Sequence, residues 1–262
     1  MSEGTQAGQL QAGQVRVMFD RIAGVYDLLN TAMTAGLHHR WRERAVEQAQ
    51  VGPGSRVLDV ATGTGDLAIE LARRVGPDGE VTASDFSEGM LDRARAKVAA
   101  RANGAVQPHF EWADAMELPY ETDSFDAATV GFGVRNFSDL HRGLAELARV
   151  VRPGGRVVVL EMTNPTRPPL SLFFGLWFDR IVPVLGQVAS LLARISAQIR
   201  GGSGESTIAE AYTYLPNSVK RFPGPPALAA ELERAGLSEI HYLITAGGIV
   251  TIHAGTVPRL GA

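Results

Sequence analysis

Four short stretches of this chain carry residue types at spacings suited to chemistry. The first is the turn DVATGTGDLA over residues 59–68. There Gly63 and Gly65 let the backbone approach a ligand closely, and a helix starting near Asp66 offers N–H groups that lack helical partners. The second is Asp85, 20 residues after Gly65 (85 − 65), at the end of EVTASDF. A carboxylate at that place accepts hydrogen bonds from ribose hydroxyls. The third is WADAMELP, which sets Asp114 and Ala115 just after a further strand, within reach of an adenine edge. The fourth is VGFGVRNFSD over residues 130–139, where a core strand runs into Arg135 and Asn136, side chains rich in hydrogen-bond donors. Such a pair either caps the fold or faces a ligand. The chain has no cysteine, so catalysis must use oxygen and nitrogen groups or a bound cofactor.

The elements that must position these residues follow from periodicity. Val15, Met18, Phe19, Ile22 and Tyr26 recur at three and four residues and predict a helix, followed by another around 40–49. Apolar runs at 56–63, 80–86, 106–113, 125–133 and 156–162 alternate with helices at 66–75, 87–102 and 139–151. That rhythm predicts an α/β fold, a doubly wound and mostly parallel Rossmann-like sheet with ligands beyond the strands' carboxyl ends. RPGG at 152–155 predicts a turn. Pro-rich and Gly-rich joints mark 164–220 as a helical insertion or lid, with GGSG at 201–204 as a flexible joint. A helix at 226–235 and the strands LSEIHYLIT and GIVTIHAGT, joined by Ala-Gly-Gly, predict a C-terminal antiparallel hairpin. Thus residues 1–14 are expected to be a disordered lead-in. Residues 15–262 are expected to form one domain: helices to 50, a cofactor-binding core at 51–163, the lid at 164–220, and the last helix and hairpin at 221–256.

Composition narrows the partners. A net charge of −3 gives no basic footprint for nucleic acid, and 45% hydrophobic with 20% charged residues is ordinary for a globular chain. The N-terminus lacks the basic and apolar regions of a signal peptide. The most apolar stretch, 170–195, is interrupted by Asp179, Arg180 and Pro183 and does not reach a membrane span of ~18 apolar residues. The expected location is cytoplasmic, with membrane contact only at the surface. His253, inside a strand, reads as a core residue.

A glycine-rich turn followed by an acidic residue fits either a dinucleotide or S-adenosylmethionine. Asp59 before the glycines and Asp66 after them would repel a pyrophosphate and suit an ammonium and a sulfonium. A dehydrogenase would also add a second βαβ unit, where this chain has a hairpin.

VLDVATGTGDLA, SDFSEGML, ADAMELP, FDAATVGFGVRN and LARVVRPGGRVVVLE, in this order, resemble a class I S-adenosylmethionine-dependent methyltransferase. More narrowly, the chain resembles the ubiquinone and menaquinone biosynthesis C-methyltransferase family, in its menaquinone-type form. Tyr26, Asp27, Asn30, His38 and Trp41 match one signature of that family, and Arg149, Val150, Pro153, Gly154, Gly155 and Glu161 match another. The resemblance implies that Thr64, Asp85, Asp114, Ala115 and Gly131 contact S-adenosylmethionine, with Gly63 and Gly65 shaping the loop beneath it. It implies C-methylation of a prenylated quinol, a demethylmenaquinol-type acceptor, with no metal. Arg135 and Asn136 would then stabilise and orient a phenolate, and Tyr26 and Asp27 would lie near the sulfonium or ring, Asp27 being a candidate base. Phe173, Phe174, Trp177 and Phe178 fit a pocket for the tail or a membrane-facing surface. A homodimer is compatible with the reading. The alternatives are a ubiquinone precursor, another lipophilic phenol or sterol as acceptor, and a non-catalytic S-adenosylmethionine-binding subunit of a quinone-synthesis complex.

Overall fold

The computed structural model describes residues 12–23, 36–101, 106–165, 170–176 and 216–259, together with 31, 34, 168, 180, 184 and 214. A seven-stranded sheet in the order β3-β2-β1-β4-β5-β7-β6 forms its centre. The strands are β1 (Arg56–Val60), β2 (Glu80–Asp85), β3 (His109–Trp112), β4 (Phe125–Gly131), β5 (Val151–Met162), β6 (Ser238–Thr245) and β7 (Val250–Thr256). The first five run parallel, and β7 is antiparallel to both β5 and β6. The expected doubly wound sheet and C-terminal hairpin are therefore both present.

Helices cover both faces. On one lie α2 (Leu37–Ala49), α3 (Asp66–Val75) and α4 (Glu88–Ala100); on the other lie α5 (Leu140–Val150) and α7 (Pro225–Arg234). The first face is closed by Trp41, Leu67, Leu71 and Leu91. The second is closed by Leu144, Leu147, Leu228 and Leu232. Because both faces are covered, the central strands read as unbroken apolar runs: Val57, Leu58 and Val60 are each at most 1% exposed. The remaining helices are α1 (Ala12–Ile22), which packs on α4, and the short α6 (Leu170–Leu176). His253 is fully buried on β7 and bonded to the Pro225 carbonyl, as expected of a core residue.

One local expectation is corrected. RPGG is not a free turn before a strand, because β5 already begins at Val151. Gly154 N–H donates to the Val257 carbonyl at 2.8 Å and Val257 N–H returns a bond to Gly155 at 3.0 Å, so the glycines extend the sheet as an irregular strand start. Val151 pairs with Phe125 but Arg156 with Ala127, and the glycines absorb the slip. Residues 1–11 of the predicted lead-in and most of the 164–220 insertion, including its GGSG joint, lie outside the described residues, whereas residues 12–14, expected in the disordered lead-in, are helical and open the Ala12–Ile22 helix.

Candidate active site

The chain order reverses between β1 and β4, the two neighbours from which the sheet is wound in opposite directions, and a cavity opens there at the carboxyl ends. Both strands leave the sheet through strained backbone. Ala61 after β1 and Phe132 after β4 have φ of 52° and 58°, a left-handed conformation unusual for residues with a Cβ. Gly133 is required beside them, since a Cβ there would meet that of Ala61 at 2.6 Å.

The turn from β1 into α3 supplies the cavity floor. Gly63 and Gly65 take φ of 58° and 80°, and a side chain on Gly65 would strike the Phe110 ring at 2.8 Å. Gly65 is thus a packing and turn residue beneath the loop, whereas Gly63 and Thr64 line the cavity. Asp85 ends β2 with its carboxylate turned to this loop: Gly63 N–H donates to Oδ2 at 2.8 Å and Ser87 N–H to Oδ1 at 2.9 Å. Phe86 N–H also bonds this carboxylate, and the acceptor capacity that remains can serve a ribose hydroxyl. Burial pushes the Asp85 acid up to about 6, against the pull of those N–H groups.

Asp59, on β1, is fully buried and receives the hydroxyls of Thr62 and Thr129, both at 2.6 Å. Burial likewise pushes its acid up to about 6. Asp66 behaves differently from the expectation. It is paired with Arg42 at 3.0 Å and Lys97 at 2.8 Å, and although burial opposes it, these cations hold its carboxyl below the usual range. Its charge is spent inside the protein, so the acidity facing the cavity comes from Asp59, Asp85 and Asp114. Lys97 also donates to the Thr64 hydroxyl at 2.9 Å and so ties α4 to the loop.

Asp114, Ala115 and Gly131 lie in the cavity wall with Thr64, Asp85 and Gly63, so six of the seven cofactor candidates meet in one place. The Asp114 carboxylate accepts from Met116 N–H at 2.9 Å, which fixes the β3 exit. Apolar wall comes from Phe19, Phe86, Met90, Phe132 and Phe137. Sequence reading took Phe19 only as part of a helical face; its contact with the cavity depends on α1 docking over α4, where Asp20 accepts from the Ser87 hydroxyl and Gly89 N–H.

Arg135 and Asn136 part company. Both sit on the 3-10 turn Val134–Asn136 after Gly133. Asn136 reaches the cavity, and its Oδ1 accepts from the Tyr214 hydroxyl at 3.0 Å. The guanidinium of Arg135 turns inwards instead: Nη1 donates to Glu161 Oε1 at 2.5 Å and to the Phe132 carbonyl at 2.7 Å, with the side chains 6% and 0% exposed. Arg135 is not among the residues of the described cavity wall. The physical reason is Glu161, fully buried at the end of β5, whose charge needs a partner in the interior. Trp41 packs edge-on to Phe132, and Thr34 bonds His38 at 2.7 Å, so both residues brace α2. Tyr26, Asp27 and Asn30 lie outside the described residues. No group of metal-ligating side chains occurs among the described residues.

The residues fit S-adenosylmethionine: an acidic, partly apolar cradle with a carboxylate at the end of β2 and a glycine loop whose left-handed backbone and bare Gly63 leave open space above it. The chain matches the ubiE/COQ5 methyltransferase family over residues 7–257. It is 39% identical over 253 residues to "Demethylmenaquinone methyltransferase" of Desulfitobacterium hafniense, covering 97% of this chain and 93% of that one. It is 43% identical over 241 residues to the protein of the same name from Thermus thermophilus, covering 92% and 100%. Among solved structures, a SAM-dependent methyltransferase from Aquifex aeolicus superposes with a TM-score of 0.56 at 18% identity, over 82% of this chain and 89% of that one, a likeness of fold. On the strength of sequence, sheet order and cofactor cradle together, the chain belongs to the ubiE/COQ5 methyltransferase family and is an S-adenosylmethionine-dependent methyltransferase.

Proposed function

We propose that this enzyme methylates a ring carbon of a prenylated quinol, converting demethylmenaquinol to menaquinol. The reading rests above all on near full-length similarity to proteins named demethylmenaquinone methyltransferase. The aromatic and Met-lined wall beside the cofactor cradle, which suits a flat apolar ring, supports it.

In this reading Asp85 receives the ribose hydroxyls, Asp114 and Ala115 meet the adenine, and Gly63, Thr64 and Gly131 shape the path between. Asp59 provides the negative potential that favours a cationic donor. When bound, S-adenosylmethionine supplies a methyl group already activated by its sulfonium, so the protein's main task is to align the acceptor. Phe19, Phe86 and Phe132 exclude water from the acceptor. Asn136 touches the acceptor, whereas Arg135, held by Glu161, fixes the turn that carries Asn136. Tyr26 and Asp27 remain catalytic candidates by family resemblance, with Asp27 as the base. The tail leaves across α6, where Leu172 and Leu176 are 72% and 57% exposed, a surface suited to peripheral membrane contact. No helix among the described residues is long and apolar enough to cross a membrane.

The test is anaerobic incubation with S-adenosylmethionine labelled in its methyl group and reduced demethylmenaquinone, beside a demethylated ubiquinol analogue. Label is expected in the naphthoquinol. Label only in the benzoquinol would move the acceptor to that nucleus, and label in neither would overturn quinol methylation.

A further inference from the structure

Tyr214 stands behind the cavity wall with its hydroxyl 3.0 Å from Asn136 Oδ1, and its ring joins the cluster of Met18, Ile22, Ala23 and Met90. A phenol that donates to an amide oxygen decides which end of that amide is engaged. With Oδ1 held on the Tyr214 side, the Nδ2 end is the end of the Asn136 amide left to face a ligand. We infer that Tyr214 is a positioning residue that locks Asn136 with its amide N–H groups towards the acceptor, making Asn136 the hydrogen-bond donor to the quinol oxygen that loses its proton. The inference rests on the quinol reading above and adds to it a residue and a direction.

The chemistry gives the donor its purpose. The ring carbon is a strong nucleophile only after the neighbouring hydroxyl has released its proton to the base of that reading. A donor at that oxygen stabilises the quinolate and raises its share at neutral pH. The electron pair of the ring carbon then takes the methyl group while the sulfur keeps the pair of the broken bond. The hydrogen on that carbon leaves as a proton, which restores the aromatic ring.

The surroundings keep Tyr214 a donor. Burial pushes its phenol above the ordinary value, although Arg135 and Arg221 pull it down and Glu161 opposes them, so it stays protonated across the working range. Other charged groups at the cavity are Arg42 from α2, Asp59 from β1, Asp85 from β2 and Asp114 after β3. Asp59 and Asp85 have acids near 6, so they complete their titration at the acidic end of the range used below and do so in every variant alike.

The experiment measures kcat, the KM for reduced demethylmenaquinone and S-adenosylmethionine affinity from pH 6.5 to 9.5, for the unchanged protein, Tyr214→Phe and Asn136→Asp. Tyr214→Phe keeps the ring in its cluster. It is expected to lower kcat about tenfold at pH 7 with cofactor affinity unchanged, and to move the acidic limb of the kcat profile up by about one pH unit, so that the loss shrinks at high pH. Asn136→Asp, which removes the donor and keeps an acceptor for Tyr214, is expected to cost about a hundredfold. An unshifted acidic limb in Tyr214→Phe, or near-normal turnover in Asn136→Asp, would overturn the inference alone. Absence of any quinol methylation by the unchanged protein would overturn the quinol reading and this inference with it.

Discussion

Asp59 shows how far one residue can be pulled between stability and function. A carboxylate with no exposure, fed by two threonine hydroxyls, is costly to ionise, and its acid stands near 6 against 3.8 in a free chain. Since the folded value lies above the unfolded one, its favourable contribution is complete below about pH 3.8 and is lost as the pH rises through 6. At neutral pH the protein therefore carries a buried charge at a cost. Asp59→Asn is expected to stabilise the cofactor-free protein at pH 7.5 by on the order of 1–3 kcal/mol, with the gain vanishing towards pH 4. The same change is expected to weaken S-adenosylmethionine binding at least tenfold. Denaturant melts and calorimetric titrations at both pH values check the two halves together. A variant that is no more stable at pH 7.5 than the wild type would contradict the assigned burial cost. Arg135 illustrates the opposite economy, since its charge is engaged by the buried Glu161 and by the Phe132 carbonyl of its own turn.

At the level of elements, the site depends on helices from the N-terminal third being pinned over the loops of the core. Asp20 on α1 bonds the Ser87 hydroxyl and Gly89 N–H, at the start of α4 and two residues beyond Asp85. Asp66 joins α2, α3 and α4 through Arg42 and Lys97. Breaking the α1 clip should loosen the cover while leaving the cradle intact. Asp20→Ala is expected to lower stability by about 1 kcal/mol. Hydrogen exchange should quicken in α1 and at 87–90, and the acceptor KM should rise more than S-adenosylmethionine affinity falls. Exchange confined to other segments would show that α1 is held by apolar packing alone. The irregular start of β5 belongs to this scale as well, because its glycines let β5 stay in register with β4 and so set where Glu161 and the Arg135 turn fall.

For the molecule as a whole, the sheet places a polar cofactor cradle at its carboxyl edge, and α6 follows β5 from that same edge with exposed Leu172 and Leu176. Under the quinol reading proposed above, a lipid-borne acceptor accounts for this pairing of surfaces. Leu172→Asp with Leu176→Asp is expected to reduce co-sedimentation with phospholipid vesicles about tenfold or more. Turnover of quinol presented in vesicles should fall with it, while turnover of a short-tailed soluble analogue is unchanged. Equal loss on both substrates would mean that α6 supports the catalytic fold rather than a membrane contact.

The sequence by itself determined the alternation of strands and helices, because burial on both faces turns parallel strands into apolar runs and helices keep their own period. It also pointed to Gly63, Thr64, Asp85, Asp114, Ala115 and Gly131 as cofactor candidates, which the fold gathers around one cavity. These are local signals, each lying at the end of a strand whose place in the winding is legible from its neighbours. What only the tertiary structure decided were relations between distant segments. That Asp66 is neutralised depends on Arg42 and Lys97, 24 and 31 residues away along the chain (66 − 42 and 97 − 66). That Arg135 turns inwards while Asn136 reaches the cavity depends on Glu161, and the meeting of Tyr214 with Asn136 spans 78 residues. A charge or a donor has no direction in a sequence. Burial makes an unpartnered one costly, and the partner that settles its direction comes from wherever the fold brings the chain back.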